Sequence, residues 1–155
     1  MVVKFKKLVE EAVLPFYGSV GAAGLDVTAT SKSYDEFGNV VYGTGLAMEI
    51  PEGYVCLIFP RSSNSKKDLI LSNSVGVLDS DYRGELFFKF KSSINETWRP
   101  VYNEVSNQYI YQHTYEVGDR IGQLIIVPYP KIQPEFWLDL SETERGQSGY
   151  GSTGA

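Results

Sequence analysis

Gly45-Leu-Ala-Met-Glu-Ile50 runs into Pro51-Glu-Gly53 and then into Tyr54-Val-Cys-Leu-Ile-Phe59, and this stretch decides the fold class. A Pro–Gly turn separates two short runs, the second rich in β-branched and aromatic residues, which predicts a strand, a tight turn and a strand. The same grammar continues in both directions. Upstream, residues 2–8 and 25–29 read as strands, with a loop between them and a turn at Glu36-Phe-Gly-Asn39. Downstream, strands are expected over 69–71, 75–78, 84–92, 108–113 and 121–128, and a last one over 136–140. The best helical window, 62–68, is short and lysine-rich, and residues 95–107 read as a loop or insertion. Many short strands with turn signals every 8–12 residues predict an all-β sandwich, jelly roll or barrel.

The chain has 155 residues, 43% of them hydrophobic and 21% charged, which fits one domain with a sizeable core. Its formal net charge of −5 argues against general nucleic-acid binding, which needs a basic face. An acidic chain that handles a polyphosphate must concentrate its few cations or recruit a metal. The single cysteine, Cys56, sits in an apolar run and reads as a core residue. The start of the chain lacks the charged-then-apolar pattern of a signal peptide, and no stretch approaches a membrane span. The expectation is a soluble, cytoplasmic protein. Trp98 and the lone His113 read as packing or surface residues.

Five segments are candidates for chemistry, and each alone also fits a structural reading such as an ST-turn, a turn-forming Asp, a structural amide or a frayed tail. Ala23-Gly-Leu-Asp26 places an acid at a strand start. Pro60-Arg-Ser-Ser63 follows a strand directly, and an arginine with two hydroxyls on a turn suits phosphate oxygens. In Gly76-Val-Leu-Asp-Ser-Asp-Tyr-Arg-Gly84, a hairpin by composition, Asp79 stands between Leu78 and the nearby Asp81. A carboxylate so placed is expected to hold its proton more tightly and to be a better general base. Gly118-Asp-Arg-Ile-Gly-Gln-Leu-Ile-Ile-Val-Pro128 is an apolar strand interrupted by Gln123, whose amide needs a partner. The last eleven residues, from Arg145, hold four glycines, an arginine and a tyrosine but no aliphatic residue larger than alanine. Such a segment is too apolar-poor to order itself, yet it suits an arm that closes over a phosphate and a base.

Taken in order, these segments resemble the five motifs of the trimeric dUTPases. The resemblance implies a distorted jelly-roll or β-barrel-like domain over residues 1–140 and a flexible arm over 141–155 that closes the site of a neighbouring subunit. It implies a homotrimer that hydrolyses dUTP to dUMP and pyrophosphate with Mg²⁺, limiting uracil in DNA and supplying dUMP for dTMP synthesis. By position, Asp79 matches the acid that activates the attacking water, and Gln123 the glutamine that contacts that water and the phosphates. Arg61, Ser62 and Ser63 match the triphosphate cradle, and Asp26 the acid that holds the magnesium's water shell. Asn73 and the backbone of Val77, Leu78 and Phe87 match the uracil slot. Tyr82 is similar to the tyrosine packed against the deoxyribose, and Arg145, Tyr150 and Gly151 to the closing arm. Ser63 stands where most members carry glycine, and Tyr150 where phenylalanine is commoner.

Two rival readings share the fold. A dCTP deaminase is similar around Arg61–Ser63 but carries a catalytic glutamate on the strand after the hairpin, where this chain has Lys89. A non-enzymatic or regulatory binding protein would not need Asp79, Gln123, Arg145 and Tyr150 together.

Overall fold

The computed structural model describes residues 1–67, 69–92, 101–103, 108–110 and 114–149. Trp98, His113, Tyr150 and Gly151 lie outside these described residues. Strands β1 (Lys4–Lys7), β2 (Phe16–Tyr17), β3 (Leu25–Thr28), β4 (Ser31–Tyr34), β5 (Val40–Gly43), β6 (Leu46–Glu49) and β7 (Tyr54–Pro60) precede a 3-10 helix at Ser62–Lys66. Strands β8 (Leu69–Leu71), β9 (Gly76–Leu78), β10 (Phe87–Ser92), β11 (Val101–Asn103), β12 (Gln108–Ile110) and β13 (Arg120–Pro128) follow. The all-β jelly-roll-type expectation holds, although among the described residues the sheets stay open and form no closed barrel.

Two sheets make the body. One has the order β2-β3-β13-β7-β9 and the other β4-β5-β10-β8; the ribbons β1-β6 and β11-β12 complete the set. Every pairing is antiparallel. Side chains alternate across a strand, so Cys56, Ile58 and Leu124 of the larger sheet point inward. They join Tyr42, Phe88, Phe90 and Leu71 of the other sheet in one buried cluster. The approach is close at Gly122, where any side chain would collide with the Phe88 ring. Tyr42 stands edge-on to Phe90 at 5.9 Å and donates its hydroxyl to the Tyr115 carbonyl at 2.8 Å, which satisfies the buried phenol.

The outer face of the larger sheet is also apolar. Val55, Leu57 and Phe59 of β7 and Ile125 and Val127 of β13 are only half-buried there, and Val77 of β9 is 64% exposed. Strands apolar on both faces belong between two layers. Beyond β13 the chain lies open: residues 130–149 are exposed, and the strand expected over 136–140 does not form. Phe136, Trp137, Leu138 and Leu140 are apolar enough to read as a strand but pair with nothing within the described chain. The 95–107 stretch read as a loop contains β11, paired to β12.

The turn at Glu36–Asn39 is built as expected, around Asp35. Its Oδ1 accepts from the backbone N–H groups of Phe37 and Asn39, and Asn39 Nδ2 donates to both of its oxygens. Asn39 Oδ1 in turn accepts from Ser72, and Lys89 lies 3.2 Å from Asp35 Oδ2. Hydrogen bonds to the charged form, led by that from the Asn39 side chain, bring the Asp35 carboxyl down to about 2. A folded-state value below the unfolded one means that its stabilisation is complete above about 4 and is lost as pH falls toward about 2. Asp35→Asn is therefore expected to lower the urea midpoint at pH 5 and to narrow or abolish its deficit near pH 2. A deficit that does not change between the two pH values would show that the Asp35 charge does not stabilise the turn.

Candidate active site

Cross-strand register builds the first half of the site. Phe16, Asp26, Gln123 and Phe59 lie in one row across β2, β3, β13 and β7. The chain leaves β7 at Pro60, so Arg61 arrives at the end of that row with extended backbone. Asp26 is buried and receives two arginines, Arg61 Nε on Oδ1 and Arg120 Nη1 on Oδ2, each at 2.9 Å. Arg120 gives no functional signal in the sequence. A bulge between Arg120 and Gly122 breaks the alternation there and re-aims its side chain toward Asp26.

Ser63 Oγ lies 3.4 Å from Arg61 Nη1, and Gln123 Nε2 donates to the Pro60 carbonyl at 3.2 Å. Gly24 makes room for that glutamine, since any side chain at Gly24 would run into it. Ser62 is exposed at the first position of the 3-10 helix. A helix of five residues has little dipole, so what this turn offers an anion is its arginines, hydroxyls and backbone N–H groups. The structure thus brings Asp26, Arg61, Ser63 and Gln123 together.

The second half lies elsewhere on the chain. β9 pairs with β7 through Cys56 opposite Leu78 and Ile58 opposite Gly76. Asp79 therefore follows on opposite Val55, six residues along β7 from Arg61, or about 20 Å at ~3.3 Å per residue. Asp79 is exposed, whereas Leu78 points into the core, so the expected apolar flank does not enclose the carboxylate. It opens instead onto a cleft of about 600 Å³ shared with Glu49, Glu52, Asp81, Arg83 and Lys131. Tyr82 N donates to the Asp79 carbonyl, and the Tyr82 hydroxyl donates to the Glu85 carbonyl at 3.1 Å, fixing the ring over Gly84. Asn73 packs near Gly76 at the start of β9, beside Ser74, a non-glycine residue at φ 60. Val77 faces outward on β9, and Phe87 lies on the other sheet opposite Gly43.

Arg145 sits in a local turn of the exposed segment, with its Nε donating to the Ser148 carbonyl at 3.0 Å. Lys89, which set aside the deaminase reading, is ion-paired with Asp35. Among the described residues, no group of three or more His, Cys, Asp or Glu side chains converges on a point. Cys56 is buried, and burial pushes its thiol up to about 12, in keeping with a protonated core residue.

A family model described as dUTPase matches residues 10–154. The chain belongs to the dUTPase family. It is 38% identical over 152 residues to the deoxyuridine 5'-triphosphate nucleotidohydrolase of Hydrogenobaculum sp., covering 96% of this chain and 95% of that one. To the protein of the same name from Paramecium bursaria Chlorella virus 1 it is 37% identical, over 96% and 95% of the two chains. A solved structure of Staphylococcus bacteriophage 80alpha dUTPase with dUPNHPP matches with a TM-score of 0.80 at 29% identity, over 99% of both chains.

Asp26 is the electrostatic hinge of the cradle. Asp26→Asn keeps the shape but leaves the half-buried Arg61 and the exposed Arg120 guanidinium without their shared counter-charge. Loss of a charged hydrogen-bonding partner is expected to cost about 1–3 kcal/mol in urea denaturation. Unchanged stability would mean that the two arginines are held by other contacts.

Proposed function

We propose that the chain hydrolyses dUTP to dUMP and pyrophosphate. The observation that carries this reading is the pre-oriented cradle, with Arg61 held between Asp26 and Ser63 beside Gln123, in a chain of this family. Membership supports the substrate, because the relatives are named for dUTP and the phage relative binds dUPNHPP.

In the proposed reaction, Arg61, Ser62 and Ser63 grip the triphosphate and hold the α-phosphorus in line for attack. Asp79 accepts a proton from the attacking water, and Gln123 orients that water against the phosphates. Displacement at phosphorus asks mainly for positioning and charge neutralisation. Asn73 and the backbone of Val77, Leu78 and Phe87 read the uracil edge, where a wrong base leaves buried groups unpaired. Tyr82, its hydroxyl tied to Glu85, packs against the deoxyribose and leaves no room for a 2′-hydroxyl. The arm over 141–155 brings Arg145 to the γ-phosphate and Tyr150, with Gly151, to the base.

Magnesium fits this donor set through water. Each Asp26 oxygen holds one arginine and keeps a second acceptor position for a hydrogen bond from a metal-bound water. Mg²⁺ dehydrates reluctantly and suits such an outer-sphere site together with substrate phosphates. When bound, it adds charge neutralisation at those phosphates. The protein works in the cytoplasm in this reading.

The separation of about 20 Å along β7 supports a site shared between chains, since Asp79 and Arg61 of one chain cannot meet one α-phosphate. The open apolar face of the larger sheet and the exposed Phe136–Leu140 side chains supply surface for a homotrimer.

The first test is pyrophosphate release from dUTP with Mg²⁺; no release sinks the reading. Asp79→Asn is expected to retain dUpNHpp binding and to lower kcat by ~10²–10⁴-fold, the usual loss of a general base. A kcat near wild type would remove Asp79 from the mechanism.

Two inactive variants test the shared site. Arg61→Ala and Asp79→Asn chains refolded together in equal amounts should regain about a quarter of wild-type activity, because random assembly joins an intact cradle to an intact Asp79 at one site in four. Activity of the mixture no higher than that of either variant alone would place both residues on one chain.

A further inference from the structure

We propose that Tyr115 is a positioning residue for the phosphate cradle, setting the place of Ser63 and, through it, of the Arg61 guanidinium. The inference rests on the nucleotide reading above and goes beyond it by tying the cradle to the aromatic core.

Tyr115 is only 2% exposed, so it does not itself reach a bound ligand. Its ring is fixed on several sides. Tyr42 stands edge-on at 6.1 Å, Phe90 lies tilted at 6.0 Å, and the Lys67 ammonium sits 5.1 Å from the ring centroid. The backbone is fixed as well: the Tyr115 carbonyl accepts from Tyr42, and the neighbouring Thr114 carbonyl accepts from Lys67 at 2.9 Å. The one part that looks out of this cluster is the hydroxyl, 3.4 Å from Ser63 Oγ. Ser63 Oγ lies in turn 3.4 Å from Arg61 Nη1, whose Nε is bonded to Asp26.

The chain of contacts therefore runs from the core, through Tyr115 and Ser63, to the cationic group that meets phosphate. Burial pushes the Tyr115 phenol up, so it stays neutral and able to donate. A phenylalanine would fill the same space and keep the Lys67 and aromatic contacts. What the hydroxyl adds is the link to Ser63. That serine then relays position between a rigid ring and a long, flexible arginine. Contacts of 3.4 Å are weak hydrogen bonds, so the effect is one of placement and moderate in size.

Tyr115→Phe, Ser63→Ala and the double variant test the proposal by calorimetry with dUpNHpp and Mg²⁺, by competition with deoxyuridine, and by thermal melting. Tyr115→Phe is expected to weaken dUpNHpp by about two- to threefold, the low end of one hydrogen bond's worth for contacts this long. Deoxyuridine, which carries no phosphate, should bind as before, and the melting midpoint should hold. The double variant should bind dUpNHpp no more weakly than Ser63→Ala alone, because the hydroxyl acts through that serine. The proposal is overturned if Tyr115→Phe binds dUpNHpp like wild type, if the two losses multiply, if deoxyuridine binding falls in step, or if the midpoint drops. Failure of wild-type protein to bind dUpNHpp would instead bring down the nucleotide reading on which the proposal stands.

Discussion

Seven consecutive antiparallel pairs join β7 to β13, from Gly122 opposite Pro60 to Pro128 opposite Tyr54, and the rest of the structure depends on that ladder. Its inward side chains carry the core, with Cys56 and Leu124 fully buried. Its outward side chains leave an apolar face. Its two ends set where the residues of the proposed reaction stand. At the Pro60 end, β3 joins the row and brings Asp26 beside Gln123, so the cradle forms where three strands agree in register. β9 starts beside that end and runs antiparallel, which delivers Asp79 near Tyr54 at the other. A rigid ladder cannot bend to bring the two together, so the distance is a property of the fold rather than of a side-chain rotamer.

The electrostatics of the cradle follow from a chain with net charge −5. Such a chain repels polyphosphate at long range, and its cations must be concentrated and aimed. Two arginines converge on one carboxylate, leaving a local excess of a single positive charge. Asp26 offsets part of their charge but removes their rotamer freedom, so in the proposed role the guanidinium groups need little further ordering on an anion. A free pair of arginines would attract phosphate more strongly and place it less well. Gly24 serves the same end by its lack of a side chain, because Gln123 occupies the space that a methyl would take.

Much of this is legible in the sequence where local chemistry decides the outcome. The Pro51–Gly53 turn, β8 and the run into β13 follow from turn residues and apolar alternation, and the cradle residues are visible because they stand next to strand ends. β4 is not legible: Ser31-Lys-Ser-Tyr34 is a mostly exposed edge strand without an apolar stripe. Nor is β2, whose two residues are too few to show a period. The placement of Arg120 depends on a bulge, and the contact of Tyr115 is with a neighbour fifty-two positions away, so neither leaves a local signal. The apolar flank expected for Asp79 fails for a simple reason of alternation, since adjacent strand residues face opposite ways.

The most informative misreading concerns residues 136–140, where an apolar run suited to a strand finds no partner strand among the described residues of its own chain. The local reading of Phe136-Trp-Leu-Asp-Leu140 is sound, because these side chains do demand burial. Among the described residues these side chains lie exposed, against no surface that buries them. The same holds for Leu57, Phe59, Ile125 and Val127, whose alternation places them on a face that leaves them only half-buried. Two sets of unburied apolar groups on one chain, together with two half-sites about 20 Å apart along one strand, have a common remedy. Bringing further copies of the chain against that face would cover the apolar groups and place one chain's Asp79 where another's Arg61 can meet it. In the proposed reaction the hydrophobic demand of the sheet and the geometric demand of the chemistry then share one solution.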